Sequence, residues 1–265
     1  MDAAGAAAAP AWQVFDAPAH WQRIDLLSDL HLCAALPLTF DAWATHLLHS
    51  PADAVFMLGD VFEAWVGDDA RDQPFERRCV EVMAAAAQQR TLAFMVGNRD
   101  FLLGAEMRRA CGLVELADPT LLTLAGRRVL LTHGDALCLA DTEYQDFRRQ
   151  VRSSDWQQAF LAQPLAQRLQ IAAEMRRRSE SRRRYDGDSA ADVDAPTALR
   201  WLQAAGAADM VHGHTHRPGR HALAPGFTRH VLSDWDLDHA SPVRADLLRL
   251  SVAGIERLAP AGTAP

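Results

Sequence analysis

Five short apolar runs in this chain each end in residues that can bind a metal ion, and this pattern constrains the fold most. The runs cover residues 24–27, 54–58, 92–96, 129–132 and 210–211. Each has the composition of a buried strand. Open α/β sheets hold their ligands at the carboxyl ends of the strands. Five strand ends that carry Asp, Asn or His therefore predict one metal site built from several strands.

The candidate metal ligands that follow the five runs are Asp29, His31, Asp60, Asn98, His133, His214 and His216. Asp29 and His31 are two positions apart, so in an extended segment both side chains would point the same way. A single aspartate of this kind is more often a turn or cap residue, so the prediction depends on all five strand ends together. Glycines at positions 59, 97, 134 and 213 would permit tight turns and close backbone approach beside these ligands.

The chemistry of this ligand set favours two cations that act on phosphate. Nitrogen and oxygen ligands without a thiolate suit Mn²⁺, Fe²⁺ or Mg²⁺ better than a structural zinc. Two such cations can clamp the attacking and the leaving oxygen of a phosphoryl transfer. We therefore predict a dinuclear hydrolase. His212 is expected to face away from the site, and six further histidines are expected at the surface: His20, His46, His49, His221, His230 and His239.

The rest of the chain predicts a single α/β domain with a helical insertion. Helical spacing over 38–48 and 75–89 alternates with the apolar runs, which is typical of a mainly parallel or mixed sheet. From residue 141 to about 190 only helical periodicity is found, in three pieces, with a capping box from Ser154 to Gln157. Because this segment lies between the fourth and fifth ligand turns, we predict a lid. Residues 1–20 are predicted to be a disordered extension, and residues 21–258 the domain.

Composition limits the partners and the compartment. The net charge of −7 argues against a general nucleic-acid binder, whose phosphate contacts need a basic face. No run approaches the length of a membrane span, and the N-terminal segment lacks the pattern of a signal peptide. The four scattered cysteines are expected to be reduced thiols. We expect a cytoplasmic monomer.

The ligand turns resemble those of the calcineurin-like metallophosphoesterases. The motifs read D-L-H at 29–31, G-D at 59–60, G-N-R-D at 97–100, H-G-D at 133–135 and G-H-T-H at 213–216. The resemblance implies a four-layer α/β/β/α sandwich with two metal ions. One ion would be held by Asp29, His31, Asp60 and His216, and the other by Asp60, Asn98, His133 and His214. Asp60 would bridge the two ions, and Asp60, Arg99 and His214 would be the catalytic residues.

Arg99 departs from the superfamily pattern, which has a histidine at this position that is thought to protonate the leaving group. Arginine cannot donate a proton at neutral pH, but it stabilises phosphate charge well. A phosphate leaving group needs little protonation, because its second pKa is roughly 6. Arg99 therefore favours cleavage of a pyrophosphate link over cleavage of a simple phosphoester.

Longer phrases resemble one family, the UDP-2,3-diacylglucosamine pyrophosphatases of lipid A synthesis. They are FEAWVGDD at 62–69, GNRDFLLG at 97–104, HGDALC at 133–138, YQDFR at 144–148 and HGHTHRP at 212–218. The resemblance covers about residues 24–250 and implies hydrolysis of the lipid-linked nucleotide sugar to UMP and 2,3-diacylglucosamine 1-phosphate. It further implies Mn²⁺ and a peripheral position on the inner face of the inner membrane. The alternatives are a phosphoesterase for a soluble nucleotide pyrophosphate or phosphodiester, and a scaffold without catalysis.

The resemblance also implies substrate contacts from Asn98, Arg99, Asp141, Ser179, Arg183 and His214. Arg183 and Asp186 stand where the family usually has Asn or Thr and Lys, respectively. The insertion combines apolar residues with a run of arginines, among them Arg176 and Arg177, which predicts contact with an anionic lipid surface. The alternative is that the apolar residues pack on the sheet and the arginines are solvated.

Overall fold

A computed structural model describes residues 9–186 and 192–262, and the side chains of these residues except 178–186. Its strands are β1 (Gln13–Asp16), β2 (Arg23–Leu27), β3 (Ala54–Leu58), β4 (Thr91–Met95), β5 (Leu113–Leu116), β6 (Thr120–Leu124), β7 (Arg127–Leu131), β8 (Asp209–His212), β9 (Gly219–Ala224), β10 (Phe227–Val231), β11 (Leu247–Ser251) and β12 (Gly254–Leu258). Its α-helices are α1 (Pro37–His49), α2 (Pro74–Ala87), α3 (Ala105–Cys111), α4 (Thr142–Val151), α5 (Ser154–Leu161), α6 (Leu165–Asp186) and α7 (Ala195–Ala205).

The strands form two six-stranded mixed sheets. Sheet 1 has the order β12-β11-β2-β3-β4-β5, and β2 to β5 are parallel. Sheet 2 has the order β1-β6-β7-β8-β10-β9, and β7, β8 and β10 are parallel. The five predicted runs are β2, β3 and β4 in sheet 1 and β7 and β8 in sheet 2. The ligand-bearing ends therefore come from both sheets.

Three apolar layers hold the sheets and helices together, and β3 illustrates how. Its residues Ala54, Phe56 and Leu58 face the layer between the sheets, whereas Val55 and Met57 face the layer under α1, α2 and α3. This alternation follows from the two-residue period of a strand, and burial on both faces explains its continuous apolar sequence. A third layer lies between sheet 2 and α7. The predicted four-layer α/β/β/α architecture is confirmed.

The predicted helical insertion is present as α4, α5 and α6 between β7 and β8. Its capping differs from the prediction by one residue, because the N-cap of α5 is Ser153 and Ser154 is already helical. Ser153 has an extended backbone, and its hydroxyl accepts a hydrogen bond from the N–H of Trp156. Asp141 caps α4 by accepting from the N–H of Tyr144 at 2.9 Å. Among the described helices, none is long and apolar enough to cross a bilayer.

Residues 13–16 contradict the prediction that residues 1–20 are disordered. They form β1, which pairs in parallel with β6 at an edge of sheet 2. The rings of Phe15 and Trp21 lie 5.2 and 6.4 Å from the ring of Phe56, so this segment also covers the core. A strand of four residues is too short to give a periodic signal, and the prediction missed it for that reason. Residues 1–8 lie outside the described part of the chain.

Candidate metal centre

The loops that follow β2, β3, β4, β7 and β8 meet at one edge of the two sheets. They bring together two groups of side chains in which the ligand atoms lie within 4.8 Å of one another. Group 1 contains Asp29, His31 and His216, and group 2 contains Asp60, His133 and His214. All six were predicted as ligands, and Asn98 joins group 2. Either group could hold a cation.

The histidines of group 1 direct their ring nitrogens toward each other. Nε2 of His31 lies 3.2 Å from Nε2 of His216. The same nitrogen of His216 lies 3.4 Å from Oδ1 of Asp29. Ring nitrogens and carboxylate oxygens are ligands that divalent transition metals accept.

Group 2 contains ligand atoms that converge on one point. Nδ1 of His133 lies 2.9 Å from the carbonyl oxygen of Leu58, which can only accept, so in the neutral ring Nδ1 carries the proton. Nε2 of His133 is then an acceptor, yet it lies 3.0 Å from Oδ1 of Asn98 and 3.6 Å from Oδ1 of Asp60. Nδ1 of His214 is 2.8 Å from the same oxygen of Asn98. Converging acceptors of this kind need a proton or a cation between them, so the residues fit a metal ion.

Backbone strain is concentrated at the same residues. Of the six described non-glycine residues with positive φ, five are predicted ligands: Asp29 (55°), His31 (49°), Asp60 (54°), His214 (64°) and His216 (51°). The left-handed conformation costs a residue with a side chain roughly 1–2 kcal/mol. Strain of this kind clusters at functional sites, where the surrounding structure enforces it.

This conformation corrects the predicted geometry of Asp29 and His31. The extended segment was expected to continue to His31, but β2 ends at Leu27 and both residues have positive φ. The two side chains still enter one group, because the loop turns after the strand. The two side chains converge as predicted, but the extended geometry given as the reason was wrong.

Two glycines allow the ligand loops to approach each other, as predicted. A Cβ at Gly97 would overlap with the carboxylate and backbone N–H of Asp60. A Cβ at Gly213 would overlap with the carboxylate of Asp29 and the hydroxyl of Ser28. Any side chain at either position would push apart loops that carry candidate ligands.

Backbone amides hold the carboxylates in place. The N–H of Arg99 donates to Oδ1 of Asp60 at 2.8 Å, and the N–H of His214 donates to the carboxylate of Asp29 at 2.9 and 3.1 Å. Asp100, to which the sequence assigned no role, accepts from the N–H groups of Gly97 at 2.7 Å and Val61 at 2.8 Å. Asp100 therefore ties the loop after β3 to the loop after β4.

In group 1, each candidate ligand histidine has a carboxylate near its second ring nitrogen. Nδ1 of His31 lies 3.3 Å from Oε2 of Glu63, and Nδ1 of His216 lies 3.7 Å from Oδ2 of Asp234. Such partners fix the orientation of metal-binding histidines. Neither partner was predicted from the sequence, although Glu63 belongs to the FEAWVGDD phrase.

The histidines titrate differently because the charges around them differ. Burial lowers the pKa of His133, but the carboxylates of Asp60, Asp135 and Asp29 outweigh this effect and raise it to about 9. Burial and the neighbouring His133 lower the pKa of His214 to about 4. The field of the carboxylates therefore favours a positive charge in the centre of the site.

The backbone N–H of Arg99 contacts Asp60 of group 2, and its side chain is only 15% exposed. Nη1 of its guanidinium is 3.5 Å from Oε1 of Glu63. Its buried Nε has no hydrogen-bond partner among the described residues, so a donor remains for a ligand.

Helix α4 is fastened to the site through Asp135, another residue without a predicted role. Tyr144 donates its hydroxyl to Oδ2 of Asp135 at 2.6 Å, and Nε of Arg148 donates to the same oxygen at 2.8 Å. The Tyr144 ring lies 5.7 Å from that of His214, and Arg152 donates to the carbonyl of Gly97 at 2.9 Å. These contacts give the YQDFR phrase a structural role.

The other candidate residues are distributed as follows. Asp141 is exposed and caps α4, while the side chains of Ser179, Arg183 and Asp186 lie outside the described part of the chain. His212 is buried outside both groups, as predicted, and burial lowers its pKa to about 3.

Two of the histidines expected at the surface are buried. Nε2 of His46 lies 3.3 Å from Asp25, and Nε2 of His230 lies 3.1 Å from Asp209. Both pair with a buried carboxylate that no local pattern reveals.

Two stacked sheets with paired Asp and His clusters at the ligand edge define a calcineurin-like phosphoesterase, a class of metal-dependent hydrolases. The model of that family matches residues 22–218. The chain is 43% identical over 236 residues to a UDP-2,3-diacylglucosamine hydrolase from Ralstonia nicotianae, covering 84% of this chain and 87% of that protein. For a protein of the same name from Aromatoleum aromaticum the identity is 43% over 219 residues, covering 80% and 89%. The chain therefore belongs to the UDP-2,3-diacylglucosamine hydrolase family.

Proposed function

We propose that this enzyme hydrolyses the pyrophosphate bond of UDP-2,3-diacylglucosamine to UMP and 2,3-diacylglucosamine 1-phosphate, a step of lipid A synthesis. The names of its relatives support the substrate. The observation that carries the reaction is the pair of candidate cation groups with Arg99 beside them. A scaffold without catalysis would not need the complete set of ligand residues.

We propose two Mn²⁺ ions as the cofactor, supported by a nitrogen and oxygen donor set without thiolate. When bound, such ions polarise phosphoryl oxygens and supply a water of lowered pKa. Asp29, His31, Asp60 and His216 would hold one ion, and Asp60, Asn98, His133 and His214 the other. Asp60 would be shared: its Oδ1 lies 3.6 Å from Nε2 of His133 in group 2, and its carbonyl accepts from the N–H of His31 in group 1 at 3.0 Å.

The chain's own residues would bind and orient the diphosphate. The guanidinium of Arg99, with a free Nε, would neutralise phosphate charge, and Asn98 and His214 would contact the same group. Because Arg99 has no proton to give at neutral pH, the leaving group must be stable as an anion. A sugar phosphate meets this requirement, and an alkoxide does not.

We propose that the insertion at about 141–190 acts as a lid for the acyl chains and as the membrane-facing surface. Apolar side chains of α4, α5 and α6 remain more than a third exposed: Phe147, Leu161, Leu169 and Met175. Contact with the inner face of the inner membrane would place a monomer at its lipid substrate. Asp141, Ser179 and Arg183 are proposed substrate contacts on the same insertion.

The test of the reaction is UMP release from UDP-2,3-diacylglucosamine in detergent with Mn²⁺. UDP-glucose and bis-p-nitrophenyl phosphate serve as soluble comparisons. We expect UMP from the diacyl substrate alone, and none from Asp60→Ala. Turnover of only the soluble compounds would overturn the lipid substrate and favour a soluble nucleotide pyrophosphate or phosphodiester.

The membrane surface is tested separately by liposome sedimentation. Binding to anionic vesicles should fall in Arg176→Ala/Arg177→Ala and remain in Glu106→Gln, a charge change outside the insertion. Unchanged binding in the double variant would contradict the membrane contact.

A further inference from the structure

Glu63 is a carboxylate that faces a histidine ring and two guanidinium groups from three different parts of the chain. Oε2 lies 3.3 Å from Nδ1 of His31, and Oε1 lies 3.5 Å from Nη1 of Arg99 and 3.0 Å from Nε of Arg176. His31 belongs to group 1, Arg99 follows β4, and Arg176 is on α6. The side chain of Glu63 is only 14% exposed. One oxygen therefore faces the candidate metal site, and the other faces the lid.

The backbone around Glu63 keeps it beside His31. The N–H of His31 donates to the carbonyl of Asp60 at 3.0 Å, and the N–H of Glu63 donates to the carbonyl of Leu32 at 3.1 Å. An isolated bridge also pairs Leu32 with Phe62. These bonds join the loop after β2 to the loop after β3. The backbone of Glu63 therefore cannot move away from that of His31 without breaking these contacts.

The same loop receives α6 at a second position. The guanidinium of Arg168, only 3% exposed, contacts the carbonyl of Val66 and the carboxylate of Asp69. Gly67 lies between them with φ 129°, and a Cβ there would collide with Arg168. Residues 63–69 thus contact α6 twice, at Arg168 and at Arg176. A displacement of α6 would therefore change the contacts of Glu63.

An ordinary ion pair would not explain this arrangement. Arg176 is 44% exposed, and an isolated pair at that exposure contributes little to stability. The unusual feature is that the partner of Arg176 also lies against a candidate metal-binding histidine. The orientation of His31 and the position of α6 therefore depend on the same carboxylate.

We propose that Glu63 is a positioning residue that couples cation binding in group 1 to the seating of α6 on the domain. It directs Nε2 of His31 into the site through contact with Nδ1, and it holds α6 through Arg176. Coupling of this kind is reciprocal, so a cation that favours the oriented histidine also favours the seated helix. The inference rests on the proposed metal-dependent site and does not depend on which substrate is cleaved.

The first test is calorimetric titration of the metal-free protein with Mn²⁺. Glu63→Gln keeps the shape of the side chain and removes its charge. We expect it to weaken one of the two sites about 10- to 100-fold, the usual effect of removing a partner behind a ligand histidine. The other site should change little. Glu106→Gln, which removes a glutamate paired with Arg71 at 2.8 Å elsewhere, is the matched control and should leave both sites unchanged.

The second test is hydrogen exchange of the backbone amides of residues 165–177 with and without Mn²⁺. In the wild type, Mn²⁺ should slow this exchange about fivefold, at the low end of typical couplings. The slowing should disappear in Glu63→Gln and in Arg176→Met, which leaves His31 and Arg99 in contact with Glu63. It should persist in Arg149→Met, an exposed arginine of α4 paired with Asp146.

Equal weakening of both Mn²⁺ sites in Glu63→Gln, no weakening, or wild-type slowing of exchange in that variant would overturn the inference. If Glu63→Gln does not fold, Arg176→Met decides alone, since retained slowing in that variant has the same meaning. Neither readout needs substrate. Coupling without UMP release would overturn the proposed substrate only, and UMP release without coupling would overturn the role of Glu63 only.

Discussion

Asp25 and Asp29 lie four positions apart, and both carboxylates are fully buried beside a histidine. Asp25 is inside β2 and faces α1. It accepts hydrogen bonds from Arg249 at 2.7 and 2.9 Å and from Ser50 at 2.6 Å, with His46 at 3.3 Å. Burial raises the pKa of Asp25, but the hydrogen bonds from His46, Arg249 and Ser50 lower it well below its usual range. The charge of this carboxylate is therefore compensated by groups of the protein itself.

Asp29 is buried to the same extent but has a different environment. It has φ 55°, is held by the N–H of His214, and faces Nε2 of His216. No guanidinium among the described residues contacts it. A buried Asp beside a His therefore does not by itself mark a functional site. Backbone strain, and the lack of a guanidinium partner among the described residues, distinguish Asp29 from Asp25.

The largest expected effect is a loss of activity when Asp29, but not Asp25, is substituted. Asp29→Asn should lower UMP release about 10³-fold, because an ion held less well supplies several kcal/mol less transition-state stabilisation. Its unfolding free energy with chelator present should fall by about 1 kcal/mol or less, because Asn keeps an acceptor for His214 and tolerates positive φ. Urea unfolding and the UMP assay measure both. A large loss of unfolding free energy in Asp29→Asn would show that Asp29, like Asp25, contributes mainly to stability.

The same substitution at Asp25 should act on stability instead. Asp25→Asn leaves Arg249, whose side chain is 18% exposed, without the buried carboxylate that it pairs with, and we expect a loss of about 3 kcal/mol of unfolding free energy. Mn²⁺-dependent activity of the folded fraction should remain near that of the wild type. The urea midpoint gives the first quantity, and the UMP assay below that midpoint gives the second. Lost activity in a fully folded Asp25→Asn would show that the two clusters are not independent.

Removal of the metal ions should lower the stability of the Asp25 and Asp29 variants by different amounts. At free Mn²⁺ about 100 times the dissociation constant of each site, each of the two proposed ions adds about 2.7 kcal/mol to the unfolding free energy, and a chelator removes both contributions. Asp25→Asn should lose the same amount as the wild type, whereas Asp29→Asn should lose only the contribution of the ion in group 2. Thermal unfolding with Mn²⁺ or with chelator makes the measurement. Equal losses in both variants would place the stabilising ion outside group 1.

The smallest effect is the response to acid. The pKa of Asp25 is depressed in the folded protein, so its stabilisation is present above its unfolded value near 3.8 and is lost as the pH falls below that value. Between pH 5 and pH 3 the wild type should lose about 1 kcal/mol more than Asp25→Asn through this group. Urea titrations in the presence of chelator at the two pH values measure this difference. A larger loss of unfolding free energy in Asp25→Asn than in the wild type would contradict the prediction.

The sequence was sufficient to predict which side chains meet at the candidate site, because these residues lie directly after apolar runs. Asp60, Asn98 and His133 each follow a strand that its composition reveals, and parallel strands bring their ends to one edge. The architecture followed for the same reason. The predicted roles of these residues as ligands remain to be tested by metal binding.

Features that depend on tertiary contacts were not predictable. The positive φ of Asp29 comes from a loop locked by neighbouring loops, and β1 acquires its identity only by pairing with β6. His46 resembles a surface residue of α1 until Asp25 is placed opposite it. Glu63 lies in a polar loop, and only the packed structure brings His31 and Arg176 to it.

The strand order of sheet 1 has a consequence for synthesis of the protein on the ribosome. β2 lies between β3 and β11, and the paired residues Asp25 and Arg249 are 224 positions apart. At a synthesis rate of roughly 5–20 residues per second, β11 is made on the order of 10–45 s after β2, which until then lacks its second neighbour. During that time its apolar edge can pair with other chains. Group 1, which takes Asp29 from the loop after β2 and His216 from the loop after β8, forms late. Metal uptake in group 1 would therefore follow synthesis of β8 and its loop, and it could not guide the earlier folding of β2 to β7.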